Sequence, residues 1–402
     1  MRSNAPLSLF LALLGAVGAC STPAPPAATQ EPVQARPVCE PEACVRLGLE
    51  QADLDPSLAA LYYEVACEKD YGPACTRLGF AYIHGLGVEA NKDRALELSR
   101  KACELKDAVG CRNTGWLLEA AASKTPENLQ EAFLAYDKAC DLGDGGGCTN
   151  HGIMFREGRV FARDDVAAAQ LFDKACRLGD YNGCTNLAWH FEFGLGYPQD
   201  QELAAEIYGL TCHEDQAEAC SALGFMYQNG SGVEKNDALA FEYTLRACEL
   251  GLTVACGSVS HYYFGGIGVK KNVNVGVEYA QKACDAGDGV GCNNLAWALQ
   301  NGHGIPQDTA RGVELYKEAC EAGFFRGCTN FGLSVSDRSL ALEPLNYGCA
   351  MGEEQACGVM KSEFNVQTPD KQAALSYFSR ICGETLYGPA CRSMEVLRMT
   401  LR

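Results

Sequence analysis

The sequence predicts an all-α solenoid of about ten paired-helix repeats. Three observations predict this fold class: cysteines occur in pairs eight residues apart, the pairs recur about every 36 residues, and the apolar residues between them follow helical spacing. A period of this length is typical of stacked helical hairpins, whose core grows by adding repeats. The chain has 402 residues, more than one ordinary core holds, and a repeat array accommodates that length.

The cysteine pairs mark the corners between helices. The chain has 23 cysteines, and setting Cys20 aside leaves enough for eleven pairs. Eight residues of one helix advance about 12 Å, whereas the Cα atoms of a disulfide lie within about 7 Å. The chain must therefore reverse inside each pair. The predicted disulfides are Cys67–Cys75, Cys103–Cys111, Cys140–Cys148, Cys176–Cys184, Cys212–Cys220, Cys248–Cys256, Cys284–Cys292, Cys320–Cys328, Cys349–Cys357 and, with other spacings, Cys382–Cys391 and Cys39–Cys44.

Metal binding and redox chemistry are the alternative uses of so many cysteines. Zinc sites and thioredoxin-type redox sites use CxxC motifs, and the sequence contains none. We therefore predict no metal and no cofactor, and we expect the chain to fold in an oxidising compartment.

Each repeat is predicted to contain two closely packed helices, A and B. Three and seven residues after the second cysteine of a pair lie mostly apolar residues, such as Leu187 and Phe191, with a small residue such as Ala188 between them. Helix A ends in a glycine turn such as Gly194-Leu195-Gly196. Helix B carries a small residue, such as Ala204, eight positions before the next cysteine. Small residues allow the two helices to approach closely.

This pattern, for example NLAWHFEFGLGYPQDQELAAEIY, resembles Sel1-like repeats, which are relatives of the tetratricopeptide repeat. The eight-residue cysteine spacing makes the chain similar to the cysteine-rich Helicobacter proteins of that class. The resemblance covers roughly residues 39–392 and implies a right-handed α/α superhelix that acts as an adaptor for other proteins. The chain departs from the pattern at Thr114–Ser123, where the glycine turn is missing, and at 329–348, where a repeat is shortened.

The amino-terminal residues resemble an export signal. Residues 1–19 contain a short apolar run, too short to span a membrane. Val17-Gly18-Ala19-Cys20 resembles a bacterial lipobox, which implies lipidation of Cys20. An ordinary cleaved signal is the alternative. Residues 20–38 would then form a Pro/Ala-rich tether and 39–402 the solenoid. We expect an outer-membrane lipoprotein that faces the periplasm or the cell surface, with contact to the membrane only through the anchor.

The net charge of −18 argues against nucleic acid as a partner, because an acidic surface repels phosphate. The charge is spread along the chain, without a long run of one sign. It favours solubility and gives a mild bias toward basic partners.

The predicted function is binding of a protein or peptide on the concave face, which helix A lines in tetratricopeptide arrays. Two residues after the second cysteine, asparagine recurs, and its amide can pair with both groups of a peptide bond. The alternative is that these side chains cap helix A or bond to the preceding turn. A second row is predicted on the same face, six residues after the cysteine. The candidate partner-binding residues are Asn113, Asn150, Asn186, Asn294, Asn330, His190, Met226 and Tyr262.

Catalysis is the alternative function. Some cysteine-rich relatives are described as penicillin-binding or β-lactamase-like, so the resemblance admits a hydrolase of that type. The sequence, however, contains no SxxK, GxSxG or HExxH motif, and its six histidines fall at different places in the repeat. We predict no catalytic residues. A structural role at the cell envelope is a third possibility.

Overall fold

The protein is a stack of helices in the computed structural model, which describes residues 36–121 and 125–384. These residues form twenty α-helices and no strand, which confirms the predicted all-α repeat fold. A 3₁₀ turn, Arg338–Leu340, precedes α18. The helices are α1 Pro41–Gln51, α2 Pro56–Glu68, α3 Gly72–His84, α4 Lys92–Glu104, α5 Ala108–Glu119, α6 Pro126–Asp141, α7 Gly145–Glu157, α8 Asp165–Arg177, α9 Tyr181–Phe193, α10 Gln201–His213, α11 Ala217–Asn229, α12 Asp237–Glu249, α13 Thr253–Gly265, α14 Val273–Asp285, α15 Gly289–Asn301, α16 Thr309–Glu321, α17 Phe325–Ser334, α18 Leu342–Ala350, α19 Glu354–Phe364 and α20 Lys371–Glu384.

Ten disulfides are present among the described residues. Nine of them join the last turn of an even-numbered helix to the first turn of the next helix, with Cα–Cα distances from 4.3 to 4.9 Å. Cys39 and Cys44 are also bonded, at a Cα–Cα distance of 5.5 Å. These ten are among the eleven pairs that the sequence predicts. The remaining predicted pair, Cys382–Cys391, reaches beyond the described residues.

Consecutive helices pack against each other as hairpins from α1 to α19, and α20 packs against α18. Most successive odd-numbered helices also contact one another; examples are α3 with α5, α7 with α9 and α13 with α15. In the described part of the chain, the even-numbered helices from α2 to α16 lie farther from one another. The odd-numbered helices, which correspond to helix A, therefore form the inner side of the curved stack. We call them the inner helices and the even-numbered ones the outer helices.

Small residues set the distance between the two helices of a repeat. Gly152 on α7 lies under the ring of Phe172 on α8, and a Cβ atom at Gly152 would come within 2.7 Å of that ring. Gly115 has the same relation to Tyr136. Phe172 and Tyr136 are fully buried as a result. One added methyl group at either glycine would force the buried ring to shift, and such overpacking destabilises a close-packed core.

Capping residues define where the inner helices begin and end. The carboxylates of Asp107, Asp144, Asp180 and Asp288 accept hydrogen bonds from backbone N–H groups in the first turn of their helices. At the other end, Gly194 closes α9 in the left-handed conformation, with φ of 68°. The predicted glycine turns thus end these helices and return the chain to the outer side.

Both predicted departures from the repeat are visible. The helix α5 ends at Glu119 with Ala120 in a right-handed conformation instead of a glycine cap. Near the carboxyl end, α17 and α18 have only 10 and 9 residues. An extended Val335 and the 3₁₀ turn join them. The shortened repeat therefore keeps its disulfide and its hairpin but loses a turn from each helix.

The predicted signal peptide (1–19), the lipidated Cys20 and most of the tether (20–38) lie outside the described residues. The described end of the tether contacts the solenoid, because Arg36 forms an ion pair with Glu68 on α2 at 2.5 Å. Among the described helices, none combines the length and the apolar character that crossing a membrane requires.

Candidate functional site

The inner helices leave one face uncovered by the outer helices. The clearest register position on this face is the fifth residue after the second cysteine of each pair. Phe225 is 58% exposed there and Trp116 47% exposed, although both side chains are large and apolar. We call this row the inner ladder; its members are Phe80, Trp116, Ile153, Trp189, Phe225, His261, Trp297 and Leu333. It contains all three tryptophans of the chain.

Neighbouring aromatic side chains widen the inner ladder. Trp189 lies 5.3 Å from Phe193, one helical turn further on, measured between ring centroids. The guanidinium of Arg156 lies 5.7 Å from the Trp189 ring, at a distance typical of a cation–π contact. The rings of Trp297 and His303 form an edge-to-face contact, with centroids 4.7 Å apart. The uncovered face is therefore lined by rings and is not a set of isolated apolar residues.

The five asparagines lie beside the inner ladder and are half-buried. None of the five caps its helix: the caps of α5, α7, α9 and α15 are aspartates, and Phe324 holds the cap position of α17 without a side-chain cap. The capping part of the alternative is therefore wrong, whereas a bond to the preceding turn is found at Asn186. Asn294 donates to the Gly257 carbonyl at 3.1 Å and to the Ser260 hydroxyl at 2.8 Å, and it thereby joins two repeats. Asn330 donates to the side chain of Asn293.

The other three asparagines divide into two cases. Asn186 accepts a hydrogen bond from Arg156 at 2.5 Å and donates to the Asn182 carbonyl at 2.8 Å, one turn earlier. Asn113 and Asn150 form no side-chain hydrogen bond with any residue that the structure describes. Their amides alone are available to a ligand without the loss of a bond within the protein.

The second predicted row is in the wrong place. His190, Met226 and Tyr262 are at most 2% exposed, so they cannot present a surface to a partner. The Nδ1 atom of His190 lies 2.8 Å from the Leu195 carbonyl, and burial lowers the pKa of this histidine. The predicted row is at position six after the cysteine, whereas the ladder is at position five, one residue earlier. One step turns the side chain by about 100° around the helix, from the solvent into the contact between repeats.

The sequence contained a signal for the ladder. Trp116, Trp189 and Trp297 each follow the second cysteine of a pair by five residues, and the chain has no other tryptophan. A large aromatic residue confined to one repeat position is either a core residue or a surface residue with a function. Whether the neighbouring repeat covers the aromatic residue decides between these two cases, and only the structure shows where that repeat lies.

A cleft of about 530 Å³ lies at the amino-terminal end of the inner face. The helices α1, α2, α3 and α5 form it. Its apolar lining includes Leu49, Tyr63, Phe80 and Val109. Its polar lining consists of Thr76, Arg77, Asp107, Arg112 and Asn113. Phe80 and Asn113 also belong to the inner face, so the cleft is continuous with the ladder.

The described residues bring together one cluster with metal-ligand atoms, formed by Cys284, Cys292 and Glu318. The two cysteines are bonded to each other and offer no thiolate. A metal ligand must be deprotonated and free, so this cluster fits a structural disulfide and not a metal centre.

Comparisons with known proteins agree with the geometry. The sequence profile of the Sel1 repeat matches more than half of the chain, at residues 41–71, 72–107, 108–144, 147–180, 182–213, 217–252, 254–288 and 289–324. The crystal structure of c5321, a protective antigen present in uropathogenic Escherichia coli strains and displaying an SLR fold, is similar with a TM-score of 0.50 and 22% identity. That alignment covers 89% of this chain and 87% of c5321.

Two further likenesses are partial. Helicobacter pylori cysteine rich protein B is 29% identical, with a TM-score of 0.28, over 34% of this chain and 97% of its own. Cytochrome c oxidase assembly factor 7A of Xenopus laevis is 35% identical over 60 residues, which are 15% of this chain. The match spans 26% of that relative's length.

Proposed function

The chain belongs to the Sel1 repeat family, and we propose that it is a non-catalytic scaffold whose inner face binds an extended segment of another protein. Sel1 repeats form a protein-interaction fold, so scaffolding is the function of the class. The observation that carries the proposal for this chain is the inner ladder, with its three tryptophans in one solvent-facing row. Exposed contiguous apolar surface on a folded protein marks interaction sites, and tryptophan is enriched among the residues that dominate binding energy.

The repeat spacing fits an extended segment. Neighbouring packed helices lie about 8–10 Å apart, and an extended chain advances about 3.3 Å per residue. Every third residue of a segment that runs along the inner face would therefore meet the next ladder residue. The free amides of Asn113 and Asn150 lie beside the ladder, where they can pair with the peptide groups of such a segment. Side-chain contacts would then supply affinity, and the amides would fix the direction of the chain.

The proposal places the scaffold in the bacterial cell envelope. The ten disulfides indicate an oxidising, exported location. Lipidation of Cys20 and the tether 20–38 are the proposed means of holding the solenoid at the outer membrane. Labelling of cells with a fatty-acid analogue, followed by comparison with Cys20→Ser, tests the anchor: the label is expected on the wild-type chain alone.

No observation favours the hydrolase alternative. The family match gives it no support, and the sequence has no SxxK motif. Among the described residues, His151 and His190 are buried in the packing between helices. We therefore propose that the chain is not an enzyme, and incubation with a chromogenic β-lactam tests this point directly.

Photo-crosslinking in living cells tests the binding face. A photo-reactive amino acid replaces Phe225 on α11 or Leu210 on α10, which is 69% exposed on an outer helix. We expect a discrete crosslinked species from position 225 and none from position 210. Equal crosslinking at both positions, or capture from position 210 alone, would exclude the inner face as the binding surface.

A further inference from the structure

We infer that the amino-terminal cleft recognises a large apolar side chain of the partner segment together with an adjacent Asp or Glu carboxylate. This inference rests on the proposed function and specifies what one end of the inner face selects. It commits to a segment inside a longer chain, because the cleft shares Phe80 and Asn113 with the inner face and a seated segment can continue onto the ladder.

The apolar part of the cleft is large enough for a bulky side chain. The volume of about 530 Å³ lies within the range of small-ligand pockets. Leu49 and Phe80 line it while remaining exposed, and Val109 adds a third exposed apolar side chain. A side chain seated here would cover three apolar residues that the protein itself leaves in contact with water, which favours binding.

The polar part of the cleft has donors without acceptors. Arg77 forms no ion pair or hydrogen bond with any described residue, and neither does the amide of Asn113. The carboxylate of Asp107 already accepts hydrogen bonds from the Thr76 hydroxyl and the Gly110 backbone, each at 2.7 Å. Arg112 lies 3.3 Å from Asp144, so its charge is balanced within the protein.

The cleft therefore presents a solvent-exposed cation, Arg77, that has no protein partner in the described part of the chain and lies beside apolar walls. A guanidinium group binds a carboxylate through charge-assisted hydrogen bonds, which are stronger where apolar surface excludes water. The chain as a whole carries −18 and would by itself favour basic segments. Selection of an acidic residue would thus be a local effect of Arg77, and the overall charge cannot produce it.

The test is selection of eight-residue peptides, acetylated and amidated at their ends, from a randomised library on the full chain. The blocked ends leave side chains as the only carboxylates. We expect the selected peptides to place Asp or Glu next to Leu, Phe, Tyr, Trp or Met. The variant Arg77→Glu should bind the best such peptide at least tenfold more weakly, and replacing its acidic residue with Lys should restore binding to that variant.

Lys138→Glu is the matched control, because it makes the same charge change on the outer helix α6, where Lys138 is exposed and, like Arg77, has no ion pair with any described residue. It should bind the selected peptide as the wild type does, and both variants should keep the wild-type melting temperature. Unchanged binding by Arg77→Glu would overturn the inference, as would equal binding of a peptide whose Glu is replaced by Gln. If selected peptides depend on Phe225 and not on Arg77, the proposed function stands and this inference fails. If no peptide is selected, both fail.

Discussion

The hydroxyl of Thr76 on α3 donates a hydrogen bond to the carboxylate of Asp107, 2.7 Å away, across the boundary between two repeats. Asp107 at the same time accepts from the Gly110 backbone N–H and so caps α5. One carboxylate therefore fixes both the start of an inner helix and its position against the previous one. Thr149 and Asp180 repeat the arrangement two helix pairs further along.

Replacing Thr76 with Val is expected to lower the free energy of unfolding by about 1 kcal/mol, because the carboxylate loses one of its two donors while the side-chain volume is kept. Thr185→Val is the control, since the Thr185 hydroxyl occupies the same repeat position but donates to the Tyr181 carbonyl of its own helix. Urea denaturation of both variants provides the measurement. Equal losses in the two variants would show that the inter-repeat bond contributes nothing.

Asp288 caps α15 without the partner that Asp107 has. Gly257 stands at the position of Thr76, so no hydroxyl reaches the carboxylate, and a Cβ atom at Gly257 would come within 2.2 Å of it. Burial raises the pKa of Asp288 to about 6, while hydrogen bonds from the Gly291 and Val290 backbone oppose the rise. Ionisation is therefore harder in the folded chain than in the unfolded one, and stability falls as the pH rises from about 4 to about 6.

Asp288→Asn removes that ionisation and keeps a capping side chain. The variant should be more stable than the wild type above pH 6, by about 1–3 kcal/mol from a pKa shift of about two units. The gain should disappear below pH 4, where the wild-type carboxyl is protonated in both states. Thermal melts from pH 4 to pH 8 measure it. Asp107→Asn is the comparison and should not raise the stability above pH 6, because the wild-type Asp107 carboxylate accepts a hydrogen bond from Thr76. A pH-independent difference for Asp288→Asn would contradict the account.

Removing a central disulfide should weaken the stack at one junction. For Cys248→Ser with Cys256→Ser, the chain-entropy estimate for so short a loop gives a loss of about 2–3 kcal/mol. The same double change at Cys39 and Cys44 should lower the melting temperature less, because α1 ends the described stack and packs mainly on α2. Melting curves under non-reducing conditions compare the two. A larger effect at the terminal pair would contradict nearest-neighbour stability.

The asparagines should separate into structural and binding residues. Asn294→Ala breaks bonds to Gly257 and Ser260 in the previous repeat and should lower the free energy of unfolding by about 1–2 kcal/mol. Asn150→Ala breaks no bond among the described residues and should leave the melting temperature unchanged while weakening peptide binding. Titration calorimetry and thermal melts on both variants measure the difference. If Asn150→Ala binds the peptide as tightly as the wild type does, the Asn150 amide does not contribute to peptide binding.

Much of the fold follows from local rules that the sequence displays. Cysteines eight residues apart require a chain reversal, whatever their surroundings, so the corners could be predicted one by one. Gly152 and Ala188 at the small position predict close approach of the outer helix for the same reason. These inferences depend only on distances within one hairpin, which repeat geometry fixes.

The binding face depends on distances between hairpins, and the sequence alone places it less well. His190 and Trp189 are adjacent, yet His190 is buried and Trp189 lies on the ladder. The preceding repeat covers the His190 side of α9, where the Phe172 ring of α8 lies 5.2 Å from the His190 ring, and it leaves the Trp189 side open. How far successive inner helices tilt decides which side that is. The asparagines differ in role for a similar reason. Asn294 donates a hydrogen bond to Ser260 in the previous repeat, and Asn150 has no such partner among the described residues.

Tryptophan accessibility tests the central claim most directly, because all three tryptophans lie on the inner ladder and none on an outer helix. Acrylamide quenching of tryptophan emission is measured on the full chain with and without a saturating amount of a peptide selected from the library. We predict that the bound peptide lowers the quenching constant and shifts the emission maximum. Saturated binding with unchanged quenching and an unchanged emission maximum would show that the partner binds elsewhere and would contradict the account.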